Sequence, residues 1–585
     1  MPGFFGIHGK NKTNRSLSVE QRKNIVIGQI NTETLFIERR TVDKFLDDKI
    51  FYDDADYTVV TEGVLLNSLD LVAKYRQADL KETIVSMYET NGETFFNEFR
   101  GSFSGIFRDK KRDITLIFTD HIGSKQVFYS KVNEQFVFGS EINFIVDFYR
   151  NNDQAYHLNK NAAYFLLTYG FMVEEHTLFQ EIKKLVAGHY IKMAGQNTEI
   201  IRYHLLDNTP NYNRSEEETI EGIDRLFRQA IKRAFEKDRE YGYKHLAGLS
   251  GGLDSRMTTW VANDMGYGDQ IVNYTFSQTD YLDETIPKAI AADLKHEWIF
   301  KALDNGLFLK DIDDTVRINS GGALYYGLAH GKSCLDLMDK SKFGIVHTGM
   351  LGDVIIGTFY SSLDKDKEFE VTDGTYSKVL AKKLDKSMFS SNYKNEEIFK
   401  FYARGFTGAN QGLLVPQEFG ESYSPFYDLE FLEYCLTIPV ELRFNHKIYK
   451  QWIIHKYPKA ANYVWEKTGG KITDKSVNIL GRNILLSKLP KKIMDFGLKK
   501  VGLTRSSSNT KKHMNPLDYW YNTNDDLREY LNNYFEENSA LLDFDSDLKT
   551  DCADMFANYT NIEKNQVLTL LGVMKKYFVH TKYGS

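Results

Sequence analysis

The chain of 585 residues is long enough for two or more domains, and with 42% hydrophobic and 14% aromatic residues it is too apolar for a disordered polymer. A net charge of −6 gives no global case for nucleic-acid binding. The three cysteines, Cys334, Cys435 and Cys552, are scattered and odd in number, which excludes a legible disulfide framework or C-x-x-C metal site and leads us to expect a reducing, cytoplasmic setting. No basic segment followed by an apolar run opens the sequence, and no run approaches the roughly 18–20 apolar residues of a membrane helix.

In chain order, residues 1–205 read mainly as short strands. "YTVVTEGVLL", "SFSGIFRD", "DITLIFTD", "QFVFGSEI" and "HYIKMAG" are rich in β-branched and aromatic residues and separated by turn residues, so an antiparallel, layered α+β domain is expected. The polar stretch "YHLLDNTPNYNRSE" reads as a linker. Ser215 and Glu218 then have capping-box spacing, and Ile220, Ile223, Leu226, Phe227, Ala230, Ile231 and Ala234 follow at helical spacing. From there strands and helices alternate: "HLAGL", a helix from about Asp254, "IVNYTF", "DETIPKAIAADL", "EWIF". That rhythm predicts a parallel sheet covered on both faces, so residues 206–585 are expected to form an α/β domain, mostly helical beyond about residue 400.

The string "SGGLDSR" follows the apolar "HLAGL". In a parallel α/β sheet this places a glycine-rich turn at the carboxyl end of a strand, at the start of a helix, where ligands bind. Gly251 and Gly252 let backbone approach a ligand closely, and the free N–H groups and helix dipole favour an anion. Ser250 and Ser255 add hydroxyls. Asp254 would repel a phosphate unless a divalent cation lay between them, and Mg²⁺ prefers one or two carboxylates with phosphate oxygens. The lysine and spacing of a G-x-x-x-x-G-K-[ST] loop are absent.

The full S-G-G-L-D-S string resembles the pyrophosphate loop of the ATP pyrophosphatases. "TGMLGDVIIG" resembles the S-G-x-G-x-D-E segment of the asparagine synthetases, with Gly349 in the nucleotide-binding turn and Asp353 at the second metal-binding aspartate. "YLDETIPKAIAADLKHE", with Asp283 and Glu284, and "SPFYDLEFLEYCLTIPVELRFNHKIYKQWI", with Lys450, resemble further segments of that family. "DHIGSKQVFY", "FGSEI" and "TLFQEIKKLVAGHY" resemble its front domain. The resemblance covers roughly residues 1–475. It implies an αββα sandwich of the N-terminal-nucleophile hydrolase type over 1–205 and an ATP-pyrophosphatase domain with a helical C-terminal tail over 206–585. It implies ATP and Mg²⁺ as cofactors, with Ser250, Gly251, Gly252 and Ser255 on pyrophosphate and Asp254 and Asp353 on Mg²⁺. It further implies adenine near Leu249 and Thr275, and Lys450 on the pyrophosphate and intermediate. A lysine of "VWEKTGGK", Lys467 or Lys471, is expected to reach the active site.

Two departures qualify the resemblance. The front domain's nucleophile would be a cysteine at residue 2; here it is Pro2, and no cysteine precedes Cys334. Val64 and Arg100 stand where the glutamine-binding positions fall, so glutaminase chemistry is expected to be lost. That logic resembles β-lactam synthetases and lasso-peptide cyclases, which activate a carboxylate and use an amine already present in the substrate. Met350 occupies the position of the synthetases' glutamate or the lactam-forming relatives' tyrosine in the catalytic segment, and it cannot take a proton. His347 is near enough in sequence to replace it, although a core histidine is the commoner role. The expected function is ATP-dependent amide formation on a small-molecule or peptide carboxylate. An ammonia-dependent asparagine synthetase and a non-catalytic partner with an inherited ATP site stand as alternatives. The lysine-rich stretch 488–513 could meet an anionic carrier or simply be a solvated face, and a homodimer is an open assembly.

Overall fold

The structure is a computed structural model that describes residues 2–9, 24–195, 197–389, 392–479, 482–485 and 513–579. The front third builds two six-stranded antiparallel sheets from strands β1 (Gly3–His8), β2 (Ile25–Asn31), β3 (Leu35–Val42), β4 (Phe51–Asp53), β5 (Tyr57–Leu65), β6 (Gly101–Asp109), β7 (Ile114–Thr119), β8 (Phe128–Val132), β9 (Gln135–Gly139), β10 (Lys183–Lys184), β11 (His189–Ala194) and β12 (Asn197–Arg202). Their orders are β10-β8-β9-β1-β3-β2 and β12-β11-β7-β6-β5-β4.

Period-two alternation makes these sheets into layers. Phe4, Leu35, Ile37 and Phe138 of one sheet meet Val60, Ile106, Ile117 and Ile191 of the other in a shared core. Their chain neighbours Val59, Phe107, Leu116 and Phe118 turn outward onto helices α1 (Ser68–Tyr75) and α2 (Leu80–Asn91). Phe5, Ile7, Phe36 and Val137 turn the other way, onto α3 (Ile142–Asn151) and α4 (Lys160–Tyr169). The result is helix, sheet, sheet, helix.

Helix α5 (Glu216–Glu240) opens the second half with the capping box of Ser215 and Glu218 formed, and its periodic apolar stripe is buried. Strands β13 (Lys244–Gly248), β14 (Ile271–Ser277), β15 (Glu297–Ala302), β16 (Phe343–His347) and β17 (Glu421–Tyr423) form a parallel sheet in the order β15-β14-β13-β16-β17. Helices α5, α6 (Asp254–Asp264) and α7 (Leu282–Leu294) cover one face through Phe227, Ile231, Met257 and Ile290. Helices α8 (Ile312–Asn319) and α9 (Tyr326–Leu335) cover the other through Ile318, Leu328 and Leu335.

Two features differ from the sequence reading. The helices of Leu517–Val573 do not trail away from the body. Leu527, Leu531, Leu568 and Leu571 share one apolar core with α3, α4 and α8, so the last helices form an outer cover over the front sandwich. The polar stretch before α5 is packed as well: Asn208 is buried, and its amide donates to Tyr360, Asn395 and Glu397. Among the described residues no helix is long and apolar enough to cross a membrane.

Candidate active site at the strand switch point

The parallel sheet is wound outward in both directions from its centre. From β13 the chain runs to β14 and β15 on one side, then returns to β16 and β17 on the other. The order therefore reverses between β13 and β16, which pair directly, with Ala247 opposite His347. Doubly wound sheets bind ligands in the crevice beyond the carboxyl ends of the strands at such a reversal. Leu249–Ser255 leaves β13 at that edge, and Thr348–Asp353 leaves β16 beside it.

The S-G-G-L-D-S turn is held from inside. Ser255 Oγ accepts from Ser250 N–H at 2.9 Å and lies 2.9 Å from Ser250 Oγ. Gly252 N–H donates to Ser250 Oγ at 3.2 Å, and Gly251 N–H to Asp283 Oδ1 at 2.7 Å. The buried guanidinium of Arg256 clamps the turn to the segment after Tyr457, donating to Gly251 O, Ala460 O and Val464 O. Burial pushes the Asp283 carboxyl up to about 6 against the Gly251 N–H that lowers it. Leu249 O accepts from Thr275 Oγ1 at 2.6 Å, so the two proposed adenine positions are joined across the tips of β13 and β14.

Asp254 and Asp353 come together from the two strand ends. Gly352 lies against Asp254: a Cβ on it would stand 2.8 Å from Asp254 Cγ, and one on Gly349 would overlap the backbone of Asp254 and Ser255. Asp254 accepts from Tyr449 Oη at 2.9 Å and from the backbone N–H of Asp353. Burial and then the charge of Asp353 push Asp254 well above the carboxylate range. Burial also raises Asp353, but His446, Lys467 and Arg404 outweigh it and hold that group below its ordinary value. His446 Nε2 lies 3.9 Å and Lys467 Nζ 4.0 Å from Asp353 Oδ2.

Two side-by-side carboxyls that oppose each other's ionisation would suit a hard divalent cation. The oxygens present, with the Ser250 and Ser255 hydroxyls near, fit Mg²⁺ and a polyphosphate. The backbone here is unusual: Asp353 begins a π-helical turn, Asp353–Gly357, and Leu351, Asn445 and His446 all adopt left-handed φ of 55–59° without being glycine. Both features concentrate at functional sites.

Met350 and Asp353 face a cleft of about 1180 Å³ that Lys467 and His446 also line. Lys467 is thus the lysine after Trp465 that faces the cleft. Lys471 is exposed, with its backbone N–H on Asp474. Lys450 sits on the helix Lys447–Lys456, next to Tyr449, with no hydrogen bond or ion pair among the described residues; burial lowers its ammonium. His347 is fully buried, donates from Nε2 to Asp238 Oδ2 at 2.7 Å and stacks on Phe235 at 3.9 Å. It is a core histidine, as the commoner reading has it, and faces away from the cleft. Tyr449, Arg256 and His446 carry no signal in the sequence beyond their proximity to Lys450 and the loop. The basic stretch 488–513 lies outside the described residues except for His513, which lines the cleft.

In the front domain, Pro2 precedes Gly3 at the head of β1. Arg100 does not face a ligand pocket: its Nε donates to Glu430 of the second half at 2.7 Å, and its NH1 to Asn97 O and Phe99 O. Arg100 thus forms an ion pair from the front domain to the second half. All three cysteines are buried and unpaired.

A family model for the glutamine amidotransferase domain matches residues 47–204. A putative glutamine-hydrolysing asparagine synthetase 2 from Methanocaldococcus jannaschii is 24% identical over 464 residues, spanning 75% of this chain and 83% of that protein. The glutamine-hydrolysing asparagine synthetases 2 and 3 of Bacillus subtilis are each 26% identical over 219 residues, covering 28% and 34% of their own lengths. These likenesses support kinship with the asparagine synthetases.

Proposed function

We propose that the protein is an ATP-dependent carbon–nitrogen ligase that releases AMP and pyrophosphate. The observation that carries this reading is the meeting of Asp254 and Asp353 at the switch point, beside the S-G-G-L-D-S turn. A substrate carboxylate oxygen attacks the α-phosphorus of ATP. The bond from that phosphorus to the bridging oxygen breaks, and pyrophosphate leaves with the electron pair. A neutral amine then attacks the acyl carbon, the acyl–oxygen bond to AMP breaks, and the nitrogen sheds one proton.

Asp254 and Asp353 would hold Mg²⁺, which supplies positive charge to the phosphates. Ser250, Gly251, Gly252 and Ser255 bind pyrophosphate by exchanging their internal hydrogen bonds for phosphate oxygens. Backbone groups at Leu249 and Thr275 take adenine, and Gly349 keeps the second turn close. Lys450, and with it the cleft-facing Lys467, offsets the charge that grows on the leaving group. Met350 offers no proton acceptor at the cleft mouth, so the amine must arrive neutral.

The front domain is read as a scaffold without glutaminase chemistry. Pro2 has no nucleophilic side chain, and Arg100 is committed to Glu430. The relatives' names leave an ammonia-dependent asparagine synthetase as a second reading. A non-catalytic ATP-binding partner is a third, favoured by Met350 and by the loop N–H groups being engaged internally.

Labelled ATP, Mg²⁺ and a small-molecule extract test these readings. AMP and pyrophosphate should accumulate only with the extract, and glutamine should not replace ammonium as nitrogen source. Asp254→Asn and Asp353→Asn should each lose at least about a hundredfold in pyrophosphate release with the melting temperature unchanged. Tight ATP binding without turnover would point to the non-catalytic partner, and turnover with aspartate and ammonium alone to the asparagine synthetase.

A further inference from the structure

Resting on the ligase reading, the geometry points to a more specific substrate: a carboxylic acid with an extended apolar or aromatic body, whose carboxylate is held by Arg404. Arg404 projects into the cleft from a π-helix, Phe401–Gly408, the second such turn at this site. It is exposed there and its side chain makes no ion pair or hydrogen bond among the described residues; its guanidinium lies 5.9 Å from the Tyr376 ring centre. Arg404 lines the same cleft as Met350 and Asp353, and its neighbour Gly405 packs against Leu351, so an anion held on it lies at the reacting end of the cleft.

Among the described residues, the other lysines lining the cleft and His446 have acidic partners. Lys400 pairs with Glu396 and donates to Phe359 O, while Lys467 and His446 lie against Asp353. Among the described residues lining the cleft, Arg404 is therefore the guanidinium free to offer two parallel N–H donors to a carboxylate, a geometry that orients as well as binds it.

The wall beyond Arg404 is apolar. Phe171 and Leu324 are buried behind it, while Tyr376 is 51% and Ile562 36% exposed on a concave surface. Gly170 makes this wall possible: with φ of 76°, its missing Cβ leaves room for Tyr376 and Leu324, which would otherwise stand 2.7 and 2.9 Å away. The front domain thus contributes one side of the pocket through Gly170 and Phe171. A cleft of about 1180 Å³ exceeds the roughly 300–1,000 Å³ that encloses a drug-sized ligand. A four-carbon dicarboxylate would leave most of it and all of the apolar wall untouched.

The test uses 4-phenylbutyrate, N-acetylphenylalanine, L-aspartate and acetate on the full chain. Binding is measured by calorimetry, and activation as hydroxamate formed from ATP, Mg²⁺ and hydroxylamine. The two aryl acids should bind at least tenfold more tightly than aspartate or acetate. Arg404→Gln should weaken them at least tenfold and Arg404→Lys less, with melting temperatures unchanged. Equal or tighter binding of aspartate, aryl-acid affinity unmoved in Arg404→Gln, or no binding of any acid would each overturn the assignment. Arg404-dependent binding with no hydroxamate from any acid would sustain this pocket and sink the ligase reading instead.

Discussion

Lys184 carries its ammonium where the protein supplies no acid in contact. It is 5% exposed, and its Nζ has no hydrogen-bond partner among the described residues. Burial pushes it down to about 8, with only the more distant Asp120 opposing. The unfolded chain keeps its ordinary value of 10.5, so below pH 8 both states hold the proton and the folded state bears the full desolvation cost. Between pH 8 and 10.5 the unfolded chain binds more protons, and stability from this group rises with pH. Lys184→Met should therefore stabilise the protein by about 1–3 kcal/mol at pH 7, and the gain should shrink toward zero near pH 10.5. Urea unfolding at pH 7, 9 and 10.5 measures both the sign and the slope. Such a residue is invisible in the sequence, where a lysine reads as solvated. By contrast the meeting of Asp254 and Asp353, the proposed metal ligands, was legible, because each sits in a glycine-flanked string that resembles a segment of known synthetases. Lys467 and Lys471 could not be separated, since which lysine faces the cleft depends on the turn between Trp465 and Gly470.

At the scale of elements, local rules located α5 well: a capping box and a 3.6-residue stripe need nothing beyond themselves. β17 escaped because it is three residues long and polar. Glu421 and Ser422 are buried by partners from distant parts of the chain rather than by their own pattern. The turn Thr348–Asp353 shows how an element can be read for composition and missed for geometry. Its glycines signal a close approach; what they approach is the start of α6, where Gly349 lies on the backbone of Asp254 and Ser255. A methyl group there must push the turn from the helix and part the two aspartates. Gly349→Ala should cost about 1–3 kcal/mol, as overpacking does. It should also reduce the rise in melting temperature expected of the wild type with Mg²⁺-ATP. An alanine variant with the wild-type nucleotide shift would show that the two strand-end turns bind independently.

Across the whole molecule, the two halves are joined by charge that has been taken out of water. Glu421 on β17 lies 2.9 Å from Lys49 and 2.7 Å from Lys125, both of the front domain, and Lys49 lies 3.8 Å from Glu62. Lys237 of α5 reaches back to Asp48 at 2.9 Å. Glu421 is 1% exposed; burial alone would raise it, but Lys125 and Lys49 hold it below its ordinary value. The sequence offered only a boundary near residue 205, because a lattice of this kind is assembled from residues hundreds of positions apart. Removing one member leaves the others buried and uncompensated, which typically costs about 3–5 kcal/mol. Glu421→Gln should destabilise by that amount at pH 7. A group whose folded value lies below its unfolded one contributes its stability above the unfolded value, and that contribution fades as pH falls through the folded value. The deficit of the glutamine variant should therefore be full at neutral pH and narrow on acidification below about pH 4.5. Because the lattice ties the halves together, the wild type should unfold in a single urea transition, followed by tryptophan fluorescence, and the halves of Glu421→Gln should part. The tryptophans all lie beyond residue 250, so far-ultraviolet circular dichroism supplies the front domain's signal. If the two signals separate in the wild type, the halves unfold independently and the lattice is not what couples them; if they coincide in the wild type and part in Glu421→Gln, it is.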